Sequence, residues 1–171
     1  ALPGIVNAVI YDHDVTLIIL DNGTTAMTGH QARHGAGEVG EKIPLIGLLE
    51  ALGVKFIRDV DAYAQAKLTK MVREANEHEG FSVVIARHPC MLKFTRANRK
   101  KRPDLKLPHI RIDGARNSES LPALQEFGCP TFQRTDDDGV DVQQDLCIGC
   151  GSCIQTSAPG VLSMAKPGGK K

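Results

Sequence analysis

Three of the chain's five cysteines follow one another at two-residue gaps, at Cys147, Cys150 and Cys153. Thiolates at this spacing, here called the cysteine triplet, suit three irons of a [4Fe–4S] cube. A cube needs a fourth thiolate, and Cys129, which is followed by a proline, lies upstream of the triplet. Ser157 stands where a local fourth cysteine would fall. The spacing therefore predicts one [4Fe–4S] cluster that is held by the triplet and Cys129.

The segment between Cys129 and the triplet has the pattern of a β-hairpin. Residues 136–139 are a polar run ending in glycine, typical of a tight turn in which glycine supplies a positive φ. Residues 140–142 then alternate as a returning strand does. A Cys-Pro pair, a hairpin and a triplet make residues 126–160 similar to a bacterial-type ferredoxin module that has lost its first set of cysteines. This resemblance implies a small ferredoxin-like α+β fold.

Other roles for the cysteines are possible from the residues alone. Four cysteines also suit a tetrahedral zinc ion, but zinc sites usually present two separated pairs, whereas this chain has three plus one. A disulfide framework is disfavoured because five cysteines cannot all pair and no signal peptide is recognised. Free thiols and a cluster together predict a reducing, cytoplasmic location.

The bulk composition excludes several classes of partner. The 171 residues carry a net charge of +1, so no global field points to nucleic acid or to a membrane surface. No apolar stretch approaches the ~20 residues that a membrane span needs. Residues 96–102 are strongly basic, and they are interpreted as a solvated loop or, alternatively, as a docking site for an acidic partner subunit.

The first ninety-odd residues alternate between strand and helix, the pattern of an α/β fold with a parallel sheet. The continuous apolar run at 15–20 predicts a strand buried on both faces, and Asp61 is predicted to cap the second helix. The predicted strands are 15–20, 54–57 and 81–86, and the predicted helices are 44–52 and 61–79. This rhythm is lost after residue 88, where prolines become frequent.

These patterns predict three parts. Residues 1–95 form an α/β domain, residues 96–125 a surface connection, and residues 126–171 the small iron–sulfur module.

A polar, glycine-containing loop at 21–31 follows the first strand, at the sheet edge where open α/β folds bind ligands. Asn22 offers an amide oxygen, Thr24 a backbone carbonyl and Thr28 a hydroxyl. Hard oxygen donors of this kind suit Mg²⁺ that carries a diphosphate. An ordinary strand-to-helix loop is the alternative that the residues leave open.

This loop, the segment 86–90 and the segment 128–153 together resemble the thiamine diphosphate-dependent 2-oxoacid:ferredoxin oxidoreductases, in particular the large (alpha) subunit of their indolepyruvate branch. The resemblance implies that Asn22 and the carbonyl of Thr24 hold Mg²⁺. The cofactor-binding residues that it implies are Asn22, Thr24, Thr25, Ala26, Met27, Thr28, Gly29 and Gln31. His30 lies inside the same segment and is a candidate catalytic residue, while Cys90 is interpreted as a structural thiol or an active-site contact.

The reaction implied by the resemblance is the oxidative decarboxylation of an arylpyruvate, such as indolepyruvate, to an acyl-coenzyme A. Electrons would pass through the [4Fe–4S] cluster to ferredoxin. The Gly-Asp segment that opens the family's motif is not in this chain, so the resemblance implies a C-terminal portion that needs an N-terminal portion, a smaller beta subunit or both. A non-catalytic electron-transfer or docking protein with a degenerate α/β domain is the alternative.

Overall fold

The computed structural model describes residues 2–37, 39–102 and 108–165 of the chain. It divides into two compact units, Ala1–Lys93 and Phe94–Lys171. No helix among the described residues is long and apolar enough to cross a membrane. Each unit is described by itself below.

The first unit is built around a three-stranded parallel sheet in the order β1-β5-β4. Its elements, in chain order, are α1 (Leu2–Ile10), β1 (Thr16–Asp21), β2 (Thr24–Thr25), β3 (Gln31–Ala32), α2 (Leu45–Ala51), β4 (Phe56–Asp61), α3 (Gln65–Glu77) and β5 (Ser82–Arg87). The predicted parallel sheet with intervening helices is therefore confirmed. In the register of the sheet, Asp21, Arg87 and Asp61 lie side by side at the carboxyl ends of the three strands.

The centre of this unit is β5, which is buried on both faces. Alternate side chains of a strand point to opposite faces. Val83 and Ile85 accordingly pack in one hydrophobic cluster with Leu49 of α2. Val84 packs in a second cluster with Ala75 of α3. The amphipathic pattern of α3 thus places that helix on one face of the sheet.

The prediction that residues 15–20 are buried on both faces is wrong. Among the described strands, β1 pairs with β5 alone and forms an edge of the sheet. Ile18 is 46% exposed and Leu20 is 77% exposed. A continuous apolar run is compatible with two-sided burial, but it is the pairing order that decides which strand is central.

The predicted helix cap at Asp61 is also wrong. Strand β4 continues to Asp61 because its pairing with β5 extends to Arg87. The Asp61 carboxylate accepts a hydrogen bond from the N–H of Tyr63 at 2.8 Å, so it stabilises a turn. Helix α3 begins only at Gln65.

Helix α4 (Met91–Lys101) contains most of the basic run, which the sequence analysis interpreted as a loop. The helix is possible because no proline or glycine interrupts residues 91–101. The expected surface connection is therefore partly helical. Positions 103–107 of that connection, and residues 166–171 of the predicted cluster module, lie outside the described residues.

The second unit contains two antiparallel strand pairs, β6 with β9 and β7 with β8. After α4 its elements are β6 (His109–Ile112), a 3-10 helix (Gly114–Ser120), α5 (Leu121–Gln125), β7 (Phe132–Arg134), β8 (Val140–Val142), a second 3-10 helix (Ser152–Thr156) and β9 (Leu162–Ala165). One hydrophobic cluster joins them and includes Ala123 of α5, Phe132 of β7 and Cys153 of the triplet.

The predicted hairpin at 132–142 is present, but its turn differs from the prediction. Asp138 takes the positive φ, at 60°, instead of Gly139. The carboxylate of Asp138 binds Arg134 at 2.6 Å. Aspartate tolerates this conformation better than most residues, so the turn forms without using the glycine in that way.

Candidate functional site

The first candidate site lies at the carboxyl end of the parallel sheet. The loop after β1 and the turn after β5 meet there because parallel strands end at the same edge. The N–H of His88 donates to the carbonyl of Asp21 at 3.1 Å, and the N–H of Cys90 donates to the carbonyl of Asn22 at 3.2 Å. The backbone therefore ties the beginning of the 21–31 loop to the turn at 88–90.

The loop itself is a small hairpin in which β2 pairs with β3. The hydroxyl of Thr24 donates to the carbonyl of Gln31 at 2.7 Å and closes the base of the hairpin. At the tip, the N–H groups of Gly29 and His30 each donate to the carbonyl of Ala26 at 3.3 Å. The backbone of His30 has a left-handed conformation, with a φ of 60°. The tip is thus a tight turn that a non-glycine residue completes.

The two predicted Mg²⁺ ligands are neighbours at the base of this hairpin. The Asn22 side-chain oxygen accepts the N–H of Thr24 at 3.0 Å, and an amide oxygen has a second lone pair for a metal. The Thr28 hydroxyl instead donates to the side-chain oxygen of Gln31. Met27, at the tip, is fully exposed. The structure therefore brings Asn22 and Thr24 together and directs Met27 to solvent.

A network of four charged side chains supports the same edge of the sheet. The nearly buried carboxylate of Asp21 binds Arg33 and Arg87, each at 2.7 Å. Arg87 also binds Asp59 at 3.0 Å. The hydrogen bonds that Arg87 donates to Asp59, together with the charges of Asp59 and Asp21, raise the pKa of Arg87. Because guanidinium groups occupy both Asp21 oxygens, this carboxylate serves to hold the loop.

Sequence reasoning missed this network. The available signal was a pair of opposite charges at the carboxyl ends of two predicted strands, Asp21 and Arg87. It also missed Lys93, whose ammonium group lies 3.5 Å from the Thr24 hydroxyl. That lysine places a positive charge beside the loop in which the diphosphate is predicted to bind.

The second candidate site is formed by Cys153 and three further cysteines, Cys129, Cys147 and Cys150. Cys153 is 4% exposed and belongs to the core of the second unit, while Cys129 and Cys147 pack against that core. Burial raises the pKa of the Cys153 thiol to about 12, and the charges of Cys150, Cys129 and Cys147 add to this effect. The other three predicted cluster ligands therefore lie within electrostatic reach of Cys153.

The hairpin joins the two parts of this cysteine site through Gln143. The N–H of Gln143 donates to the carbonyl of Thr131 at 2.8 Å, and its carbonyl accepts the N–H of Cys147 at 3.1 Å. The Thr131 hydroxyl lies 3.1 Å from the sulfur of Cys129. One residue, directly after the end of β8, thus links the segment of Cys129 to the start of the triplet.

Two glycines shape the triplet. Gly149 has a φ of 67°, and a Cβ on it would lie 2.2 Å from the carbonyl oxygen of Pro108. Gly151 has a φ of 74°. Both conformations therefore favour glycine, and Gly149 needs it for space as well.

The four cysteines are spaced for a cube and not for a single metal ion. Within the described part of the chain, no three His, Cys, Asp or Glu side chains are grouped so as to hold a metal ion. A cube spreads its four thiolates over four irons, so its ligands stand further apart than those of a single ion. The Ser157 hydroxyl beyond the triplet is buried and has no hydrogen-bond partner among the described residues. Four thiols and a buried polar atom without a partner fit a cluster at this place.

Residues 2–86 match the family described as "Thiamine pyrophosphate enzyme, C-terminal TPP binding domain", in which pyrophosphate is another name for diphosphate. The parallel sheet and its polar loop agree with such a domain. Residues 2–86, which make up most of the first unit, therefore belong to this family of thiamine pyrophosphate-binding domains. The predicted resemblance is therefore confirmed at the level of the family.

More particular similarity covers both units. The indolepyruvate oxidoreductase subunit IorA of Archaeoglobus fulgidus is 32% identical over 170 residues, 96% of this chain. The IorA subunit of Methanothermobacter marburgensis is 34% identical over 176 residues, 99% of this chain. The IorA subunit of Thermococcus kodakarensis is 30% identical over 159 residues, 90% of this chain. The chain spans 26%, 26% and 24% of the length of these three relatives, respectively.

Proposed function

We propose that the chain is part of a thiamine diphosphate-dependent oxidoreductase that acts on a 2-oxoacid of the arylpyruvate type, such as indolepyruvate. In this proposal the acid is decarboxylated oxidatively, the acyl group passes to coenzyme A, and electrons leave through one [4Fe–4S] cluster to ferredoxin. The observation that carries the proposal is the combination of two candidate sites in one chain that is similar to IorA over 96% of its length.

The first site supports the thiamine half of the proposal. When bound, thiamine diphosphate supplies the carbanion-stabilising chemistry of the reaction. Asn22 and the Thr24 carbonyl would hold Mg²⁺, and the remaining residues of the loop up to Gln31 would line the cofactor. The pair Asp21 and Arg87, at 2.7 Å, holds the loop against the end of β5. His30 remains the candidate for a contact with the reacting atoms.

The second site supports the electron-transfer half. Cys129 and each of the three cysteines of the triplet would hold one iron. The ferredoxin-like module would comprise the hairpin and the triplet. The burial of Cys153 excludes water from one side of the site. A low-polarity wall of this kind is one of the means by which proteins set a cluster's potential.

The first test is an anaerobic absorption spectrum of the purified chain, with iron, sulfide and zinc analysis of the same sample. We expect about four irons and four sulfides per chain and a broad band that bleaches with dithionite. Cys147→Ser should lose the cluster, whereas Cys90→Ser, a change at the cysteine outside the site, should keep it. A colourless chain with one zinc would overturn the electron-transfer half.

The second test is Mg²⁺-dependent binding of thiamine diphosphate, measured by calorimetry on the chain extended with the Gly-Asp part of the motif. Asn22→Ala should weaken binding at least about tenfold, because a metal ligand is lost. Asn76→Ala, which changes the same residue type in α3, should leave the affinity unchanged. An extended chain that holds the cluster but binds no thiamine diphosphate would favour the non-catalytic electron-transfer role.

The proposal also implies partners and a location. Ferredoxin would accept the electrons, and a smaller beta subunit and the rest of the large subunit would complete the enzyme. We place the chain in the cytoplasm, because free thiols and a cluster suit a reducing compartment.

A further inference from the structure

The hydroxyl of Thr131 lies 3.1 Å from the sulfur of Cys129. Thr131 is 7% exposed, so bulk water does not compete for this contact. Its backbone is fixed as well, because its carbonyl accepts the N–H of Gln143 at 2.8 Å. A buried hydroxyl in the turn just before β7 is therefore held against one predicted cluster ligand.

The direction of this hydrogen bond follows from the chemistry of the ligand. A cysteine that binds iron has lost its proton and can only accept. The proton between the two atoms must then belong to Thr131, whose O–H points to the sulfur. Such a donor stabilises negative charge on the sulfur, and the effect is stronger in a buried environment.

We propose that Thr131 is a positioning residue that raises the reduction potential of the cluster through Cys129; this inference rests on the proposed iron–sulfur function. Reduction adds one electron to the cluster and no proton to Thr131. The added negative charge is shared by the ligand sulfurs, so the O–H group stabilises the reduced state more than the oxidised state. Thr131 thereby makes the cluster easier to reduce.

The test compares the cluster's midpoint potential in three versions of the full chain, measured anaerobically with mediators and electron paramagnetic resonance. Thr131→Val keeps the shape and removes the donor. We expect it to lower the ratio of reduced to oxidised cluster at a fixed potential up to about tenfold, which is about 59 mV for one electron. Thr131→Ser keeps the hydroxyl and should retain a potential near that of the original chain.

A matched control removes a different hydroxyl from the same module. Thr156 donates to the carbonyl of Cys153 at 2.8 Å, so its acceptor is a backbone oxygen and not a sulfur. Thr156→Val should leave the potential within error of the original value. An equal shift in Thr156→Val and Thr131→Val would assign the effect to general loosening of the module and overturn the proposal.

The remaining outcomes are also decisive. An unchanged potential in a fully loaded Thr131→Val chain overturns the role of Thr131 but leaves the iron–sulfur function intact. Loss of iron from Thr131→Val, with a normal cluster in Thr131→Ser, would support the contact with Cys129. Loss of iron from both variants would assign Thr131 to packing and overturn the proposal. An original chain without iron and sulfide would instead overturn the proposed function itself.

Discussion

Gly149 illustrates how one residue can decide whether the four cysteines meet. Its φ of 67° is a left-handed conformation, and an added Cβ would lie 2.2 Å from the carbonyl oxygen of Pro108. That oxygen belongs to the backbone and cannot rotate away, so the triplet or the strand that follows Pro108 must move. The position of Cys147 relative to Cys150 therefore depends on the absence of a side chain between them.

We predict that Gly149→Ala abolishes cluster binding and destabilises the second unit by at least about 2 kcal/mol, since the left-handed conformation alone costs about 1–2 kcal/mol. Gly128→Ala is the matched control, because Gly128 has a similar φ of 63° but nothing within 4 Å of its added Cβ. It should cost only the conformational part. Iron content and urea unfolding measure both effects, and equal losses in the two variants would show that space at Gly149 is unimportant.

Among single residues, the sequence predicted those whose chemistry can be recognised from residue type and position along the chain. The four cysteines were proposed because of their spacing, and Asn22 and Thr24 because of the oxygen donors that they offer and the resemblance of their loop. The contacts that Thr131 and Arg87 make were not predicted. Their roles depend on which side chains a hairpin or a row of strand ends brings together, and that information lies in the pairing.

Among the elements of the first unit, β5 contributes far more buried side chains to the hydrophobic core than β1 does. Ile85 of β5 is fully buried, whereas Leu20 of β1 is 77% exposed. The two residues are equal in size and belong to paired strands. The difference in burial should therefore appear directly in the free energy of unfolding.

We predict that Ile85→Ala destabilises the first unit by about 2–5 kcal/mol, the range for truncating a large buried side chain. Leu20→Ala should change the free energy of unfolding by less than about 0.5 kcal/mol. Urea unfolding followed by circular dichroism measures both. A Leu20→Ala loss close to that of Ile85→Ala would mean that a further surface covers β1 in solution.

The elements also show why prediction from sequence was partial. Apolar runs and helical periodicity located the three strands of the parallel sheet and the helices α2 and α3. The same runs did not reveal that β1 is the edge and β5 the centre, because local hydrophobicity is similar in both. The misplaced cap at Asp61 has a related cause, since pairing with β5 extends β4 beyond the end of its apolar residues.

Across the whole molecule, two functions are assigned to two separate cores. The proposed cluster site lies on a hydrophobic core whose buried residues run from Ile110 to Leu162. The loop that is proposed to bind thiamine diphosphate lies at the end of a sheet whose core residues run from Ala8 to Ile85. No residue belongs to both cores in the described part of the chain. Loss of the cluster should therefore lower the stability of the second unit much more than that of the first unit.

We predict that removing iron with an anaerobic chelator raises amide hydrogen exchange in β7 and β8 at least about tenfold and leaves exchange in β5 unchanged, because stability is local to each cooperative unit. Binding of iron to folded thiolates is also folding free energy, so its loss releases the hairpin that joins Cys129 to Cys147. A Cys147→Ser chain supplies the control, since the chelator should have no further effect on it. A matching rise in β5 would mean that the two units unfold together. Loss of the cluster would then also destabilise the sheet that supports the 21–31 loop.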